Sequence, residues 1–139
     1  MRNMVLGDEA VTDMYKYLNR KIESLGVDKG KVYKYERPEK MEHVSYIAIN
    51  HLPFVRRDVI EEGTVNVNIH VPKTSTNMPN VGKLQNIAKA IIAPFDIDGG
   101  LYLGKCIFEF YADSRPTLDN DDTYYINLKF NVIYNNLKA

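Results

Sequence analysis

Hydrophobic and polar residues alternate most regularly near the end of the chain, between Lys105 and Tyr134. Cys106, Phe108, Phe110 and Ala112 fall on one side of a first run, opposite Ile107, Glu109, Tyr111 and Asp113. In a second run Ile126, Leu128, Phe130, Val132 and Tyr134 oppose Tyr125, Asn127, Lys129, Asn131 and Ile133. A period of two over such lengths predicts two strands with one face on a core. The connector from Ser114 to Thr123 is long and charged, so it predicts an exposed loop and the whole reads as a long C-terminal β-hairpin. A third clean alternation, Val65, Val67, Ile69 and Val71 against Thr64, Asn66, Asn68 and His70, predicts a strand from Thr64 to Val71 with one solvated face.

Elsewhere the period changes to that of a helix. Val11, Met14, Tyr15, Leu18, Ile22 and Leu25 recur at helical spacing, with Asp8 as the expected cap and Gly26 as the stop. Leu84, Ile87, Ala88 and Ile91 form a second stripe, opened by Asn80 and ended by Pro94. Short strands are predicted at Lys31 to Glu36, closed by Arg37-Pro38, and at His43 to His51. In the latter, Val44, Tyr46 and Ala48 face away from Ile47 and Ile49, so both faces are covered and the strand belongs inside the sheet. The charged stretch from Pro53 to Gly63 predicts an exposed connection with a short strand around Val59 and Ile60, and Gly63 marks a turn. Phe95 to Gly100 leads through a glycine pair into the final hairpin.

Two apolar helical stripes and one apolar sheet face need one another. The predicted fold is therefore α+β, one domain over residues 1–139. It has an antiparallel or mixed sheet, two helices packed on one face, and the hairpin at its C-terminal end. Asn66, Asn68, His70, Asn127, Lys129 and Asn131 line the opposite, polar face.

The chain of 139 residues is long enough for a sizeable core, and 45% of it is hydrophobic. Eighteen basic and eighteen acidic residues balance to zero, which argues against dedicated binding of nucleic acid. With one cysteine no internal disulfide is available, which suits a reducing compartment. The first residues contain no apolar core of signal-peptide length, and no apolar run is long enough for a membrane span. Ten tyrosines with no tryptophan suit half-exposed sheet positions and subunit contacts.

Few residues suggest chemistry. His43 and His51 share a strand parity but would lie roughly 26 Å apart at about 3.3 Å per residue. Asp96-Ile97-Asp98-Gly99-Gly100 lacks the later ligands of a calcium loop and reads as a helix-to-strand turn. Asp119 to Asp122 reads as a solvated acidic loop tip. Glu109 is not followed by the lysine of a nuclease motif, no Gly-x-Ser-x-Gly is present, and the Gly-Lys pairs at Gly30, Gly82 and Gly104 lack the rest of a P-loop. Cys106, on the predicted core face, reads as inert packing. No catalytic, metal-binding or cofactor-binding residue is assigned, and no cofactor is expected.

The order of elements resembles that of the tail-terminator and tail-completion proteins of long-tailed bacteriophages and prophages. The resemblance rests on layout over nearly the whole chain. Its pieces are the amphipathic first helix, Lys-Val-Tyr-Lys-Tyr-Glu-Arg-Pro, His-Val-Ser-Tyr-Ile-Ala-Ile-Asn, Thr-Val-Asn-Val-Asn-Ile-His-Val, the helix Val-Gly-Lys-Leu-Gln-Asn-Ile-Ala-Lys-Ala-Ile, and the closing hairpin. The charged stretch from Arg56 to Glu62 departs from that layout. The resemblance implies a non-enzymatic virion protein that forms a ring, commonly a hexamer. Such a ring terminates the tail tube or joins it to the head, so the implied partners are further copies, tail-tube proteins and head-connector proteins. It also implies assembly in the cytoplasm of a bacterial host, and no membrane partner. Pro53 to Gly63, Pro72 to Pro79 and Asp113 to Thr123 are then the candidate contact loops. Two other readings stand beside it. One is a small-molecule or peptide-binding module using the polar face around Asn66, Asn68 and His70. The other is an enzyme assembled from His51, His70 and Glu109.

Overall fold

The computed structural model describes residues 4–27, 31–36, 44–57, 60–120 and 122–135. Helix α1 spans Gly7–Leu25 and α2 Val81–Ile92. The strands are β1 (Val32–Lys34), β2 (Tyr46–His51), β3 (Val55–Arg57), β4 (Ile60–Pro72), β5 (Leu101–Leu103), β6 (Cys106–Asp113), β7 (Thr117–Leu118) and β8 (Thr123–Asn135). They form one eight-stranded curled sheet in the order β1-β2-β4-β8-β6-β5, with β3 added to β4 and β7 to β8. Only the β1–β2 pair is parallel among those described, so the sheet is mixed. The fold is α+β, with hairpin-like C-terminal strands as the alternation predicts.

Both helices lie on one face. Helix α1 buries Ala10, Val11, Met14, Leu18, Ile22 and Leu25, and α2 buries Leu84, Ile87, Ala88 and Ile91. They cover Val65, Val67 and Ile69 of β4 and Leu128, Phe130 and Val132 of β8, all without exposed surface. The sheet curls enough that α1 touches β1, β2 and β4 and also β5 at the far side. Removing this much apolar surface from water is the dominant stabilising term, at about 25 cal/mol per Å². Neither described helix is long and apolar enough to cross a membrane.

Several boundaries differ from the sequence expectation, each for an identifiable physical reason. The first helix starts at Leu6 without a side-chain cap. Asp8 sits in the first turn, where its carboxylate accepts from the Tyr35 hydroxyl at 2.7 Å and pairs with Lys34 Nζ at 3.2 Å. Gly26 does end the helix, in the left-handed conformation. Strand β1 stops at Lys34 because Tyr35 turns the chain with φ 65°. Arg37, Pro38 and His43 lie outside the described residues, as does Val59.

The stretch from Pro53 to Gly63 is not simply an exposed connection. It holds β3, which pairs with the start of β4, and β4 itself begins at Ile60. Gly63 is a strand residue opposite Val132, not a turn, and a Cβ there would run into the Phe54 ring. Glu61 beside it points into the protein with no exposed surface, accepting the Val5 N–H at 3.0 Å and lying 4.0 Å from Arg56 Nε. A buried carboxylate needs such partners. Strand β6 also departs from simple alternation. A register shift between Phe110 and Ala112 leaves Tyr111 as the extra residue and puts Ala112 opposite Lys129, on the polar face rather than the core face. The connector after β6 is not all loop either, since β7 pairs within it to β8.

Candidate functional site

Strand β4 runs through the middle of the sheet, between β2 and β8, so its outward residues are the centre of the polar face. Directly opposed antiparallel residues point to the same side. The register sets Asn50, Asn66 and Lys129 in one row, Ala48, Asn68 and Asn127 in the next, and Tyr46, His70 and Tyr125 in a third. Asn131 lies opposite Thr64 on the same face. The six residues expected on this face are therefore all on it.

The asparagines satisfy one another. Asn66 Nδ2 donates to Asn50 Oδ1 at 2.9 Å, and Asn127 Nδ2 donates to Asn68 Oδ1 at 2.9 Å and Asn66 Oδ1 at 3.3 Å. Lys129 Nζ donates to Asn66 Oδ1 at 3.0 Å. Asn66 is only 6% exposed, so these bonds replace water it has lost.

The third row is aromatic. His70 stacks on Tyr46 at 4.3 Å between centroids and on Tyr125 at 5.1 Å, and Tyr33 of β1 meets Tyr46 edge-on at 6.1 Å. His70 Nδ1 lies 3.0 Å from Thr123 Oγ1 and 3.7 Å from an Asp119 carboxylate oxygen. Tyr46, His70 and Thr123 are all buried. Next to this stack the face dips into an open hollow of about 480 Å³, bordered by Glu36, Asn68, Asp119 and Tyr125 among others. Neutral amides, hydroxyls and one stacked imidazole suit hydrogen bonding to a polar surface or solute.

No family model matches the sequence, and no curated protein matches it. Its fold does have solved neighbours. A chain described as the virion of a native gene transfer agent particle superposes with a TM-score of 0.57 at 11% identity, over 91% of this chain and 96% of its own length. A second solved chain, whose designation describes no function, superposes with a TM-score of 0.56 at 12% identity, over 91% and 92% of the two chains. At such identities the likeness is one of fold, and it extends over the helix–sheet arrangement as a whole.

The enzyme reading fares differently, because the fold does not assemble its residues. His51 opposes Val65 and so points to the helix-covered side, where its ring meets the backbone of Gly7 and the edge of Phe54. His70 points the other way. Glu109 shares the polar face but lies opposite Asn131, six positions along β8 from the Tyr125 that pairs with His70. At about 3.4 Å per residue that is roughly 20 Å. Among the described residues no three His, Cys, Asp or Glu side chains are grouped to hold a metal. Asp96 and Ile97 begin a turn closed by the Gly100 N–H on the Ile97 carbonyl, as expected between helix and strand. Cys106 is buried, and burial, with Asp13, Glu61 and Glu9 nearby, pushes its thiol up to about 12. It stays a thiol at neutral pH.

Sequence reasoning set Tyr125 on the side of Asn127 but missed Asn50, Tyr46, Thr123 and Asp119: strand register brings the first three beside Asn66 and His70, and the chain after β7 brings Asp119 to His70.

Proposed function

We propose that this chain is a non-enzymatic structural protein of a phage or phage-like virion, acting by association. Residues 1–139 form its single domain. Several copies, six being the favoured number, close into a ring that terminates the tail tube or joins it to the head. Its partners are other copies, tail-tube proteins and head-connector proteins, and assembly takes place in the bacterial cytoplasm before the protein enters the virion. The observation that carries the reading is the fold shared, over nearly the full length of both chains, with a chain from a gene transfer agent virion. The sheet supports it as well: among the described residues it ends in short strands, β1 on one side and β5 on the other, that differ from each other. Unlike ends favour head-to-tail contacts, which close into rings when the rotation per subunit allows. The balanced net charge fits a protein that binds proteins rather than nucleic acid.

Size exclusion with light scattering over a concentration series tests this. A species of fixed subunit number at higher concentration is expected, and a monomer at every concentration speaks against it. The hollow beside His70 favours a second reading, a binding module for a small polar molecule or peptide. His70→Ala separates the two, because it abolishes ligand binding in a module and leaves subunit association intact in a ring.

A further inference from the structure

The hollow beside His70 has a floor that is already ordered. Tyr46 and His70 are 1% and 7% exposed and stack on each other, so a molecule entering from solvent meets a fixed surface. Its volume of about 480 Å³ is that of a small-molecule site. Glu36, beyond the end of β1, borders it from one side, and Asp119, in the chain after β7, borders it from the other. No lysine or arginine lines it among the described residues, since Lys129 is turned to Asn66 and Lys73 to Asp122. A cleft lined by one sign of charge concentrates its potential and draws in the opposite sign. Its polar atoms are also open to a ligand. The Glu36 carboxylate, the Tyr125 hydroxyl and Asn68 Nδ2 have no hydrogen-bond partner among the described residues, although Asn68 Oδ1 accepts from Asn127. Asp119 Oδ1 accepts the Asn120 N–H at 2.7 Å, whereas its Oδ2 lies 3.7 Å from His70 Nδ1, beyond hydrogen-bond reach.

We propose that this hollow binds a linear aliphatic diamine or polyamine, one ammonium end at Glu36 and another at Asp119. Strands β2 and β4 lie between β1 and β8, which sets those two strands roughly 14 Å apart at about 4.8 Å per step. A compact cation meets one carboxylate across such a width, and a linear molecule charged at both ends meets two. Aliphatic amines are protonated at neutral pH, so each end donates charge-assisted hydrogen bonds to a carboxylate. Ala48, Tyr46 and Tyr125 supply apolar surface for the methylenes between the ends. The proposal rests on the second reading above, the hollow as a binding site, and names the chemical class of its ligand. Closure of a ring is not needed for it.

The test titrates the full chain with putrescine, spermidine and butylamine while backbone amide shifts are followed by NMR. Putrescine and spermidine are expected to move the amides of Ala48, Asn68, Asp119 and Tyr125, and to bind about tenfold more tightly than butylamine, which carries one charge and stands in for a lysine side chain. Glu36→Gln and Asp119→Asn should each reduce the diamine to the affinity of butylamine, with the urea midpoint of each variant measured alongside as a check on folding. Succinate and butanediol, of similar length but negative or neutral, should move none of these amides. No shift with either polyamine, equal affinity for butylamine and putrescine, or shifts confined to another surface would overturn the proposal, as would full diamine affinity in both folded variants. If succinate or butanediol moves these amides and the amines do not, the hollow remains a binding site and the amine assignment falls. Light scattering on the same samples reports ring formation separately.

Discussion

Phe130 is the residue on which the packing of the sheet can be tested most sharply. It lies in the middle of β8 without exposed surface, between Val65 of β4 and Phe110 of β6. Its ring meets Phe95 at 4.8 Å and Phe110 at 5.6 Å between centroids, so it joins the turn after α2 to two strands. Truncating a buried phenylalanine to alanine costs about 3–5 kcal/mol, because the transfer energy is lost and a cavity remains. Each aromatic pair contributes about 0.5–1.5 kcal/mol beyond its buried area. With two such pairs, Phe130→Ala belongs in the upper half of that range, at about 4–5 kcal/mol. Phe130→Leu keeps most of the apolar volume and loses only the ring contacts, so it should cost about 1–2 kcal/mol. Urea unfolding followed by circular dichroism measures both, with the denaturant slope expected to stay constant. As a control on the same sheet, Tyr111→Ala removes a side chain that is 53% exposed and should change stability by less than about 0.5 kcal/mol. A loss below about 2 kcal/mol for Phe130→Ala, or equal losses for the alanine and leucine variants, would refute the central placement of β8.

Three further outcomes follow from the polar and ionisable groups. Asn66→Ala leaves Asn50, Asn127 and Lys129 short of a partner on a nearly closed face and should cost about 1–3 kcal/mol in the same unfolding assay, with Asn66→Asp preserving part of it. The Tyr35 hydroxyl and Lys34 hold the Asp8 carboxyl below its ordinary value of 3.8, so its stabilising effect is full at neutral pH and is lost as pH falls through the depressed folded value. Asp8→Asn should therefore lower the urea midpoint at neutral pH, and the difference from the parent protein should shrink as pH falls below the ordinary carboxyl value of 3.8. Cys106 should resist a thiol-specific disulfide reagent at about pH 8 in the native protein and react at once in denaturant, because burial both shields it and suppresses the thiolate.

How far the sequence could be read depended on whether the deciding contact was local. Helix α2 was legible because everything that defines it lies within it: Asn80 Oδ1 accepts from the Lys83 N–H at 3.3 Å, and the apolar stripe is the buried one. The alternation of β4 and β8 gave the two faces for the same reason. Asp8 looked like a cap but is drawn to Tyr35 and Lys34, residues distant in sequence. Glu61 and Glu62 made their stretch look solvated, yet Glu61 is buried by a bond to Val5 that no local pattern announces. Gly63 reads as a turn until Phe54 is seen lying over it. The bulge at Tyr111 reverses Ala112 for a reason that lies in pairing with β8. The polar face was visible as a set of residues, but its network of amides and its stacked His70 depend on strand register.

Association into a ring is the claim on which the proposed function rests. Negative-stain images of the largest species recovered from size exclusion test it most directly. Annular particles whose class averages share one rotational symmetry are expected, six-fold being favoured. Monomers alone, or irregular aggregates without a closed outline, would contradict it.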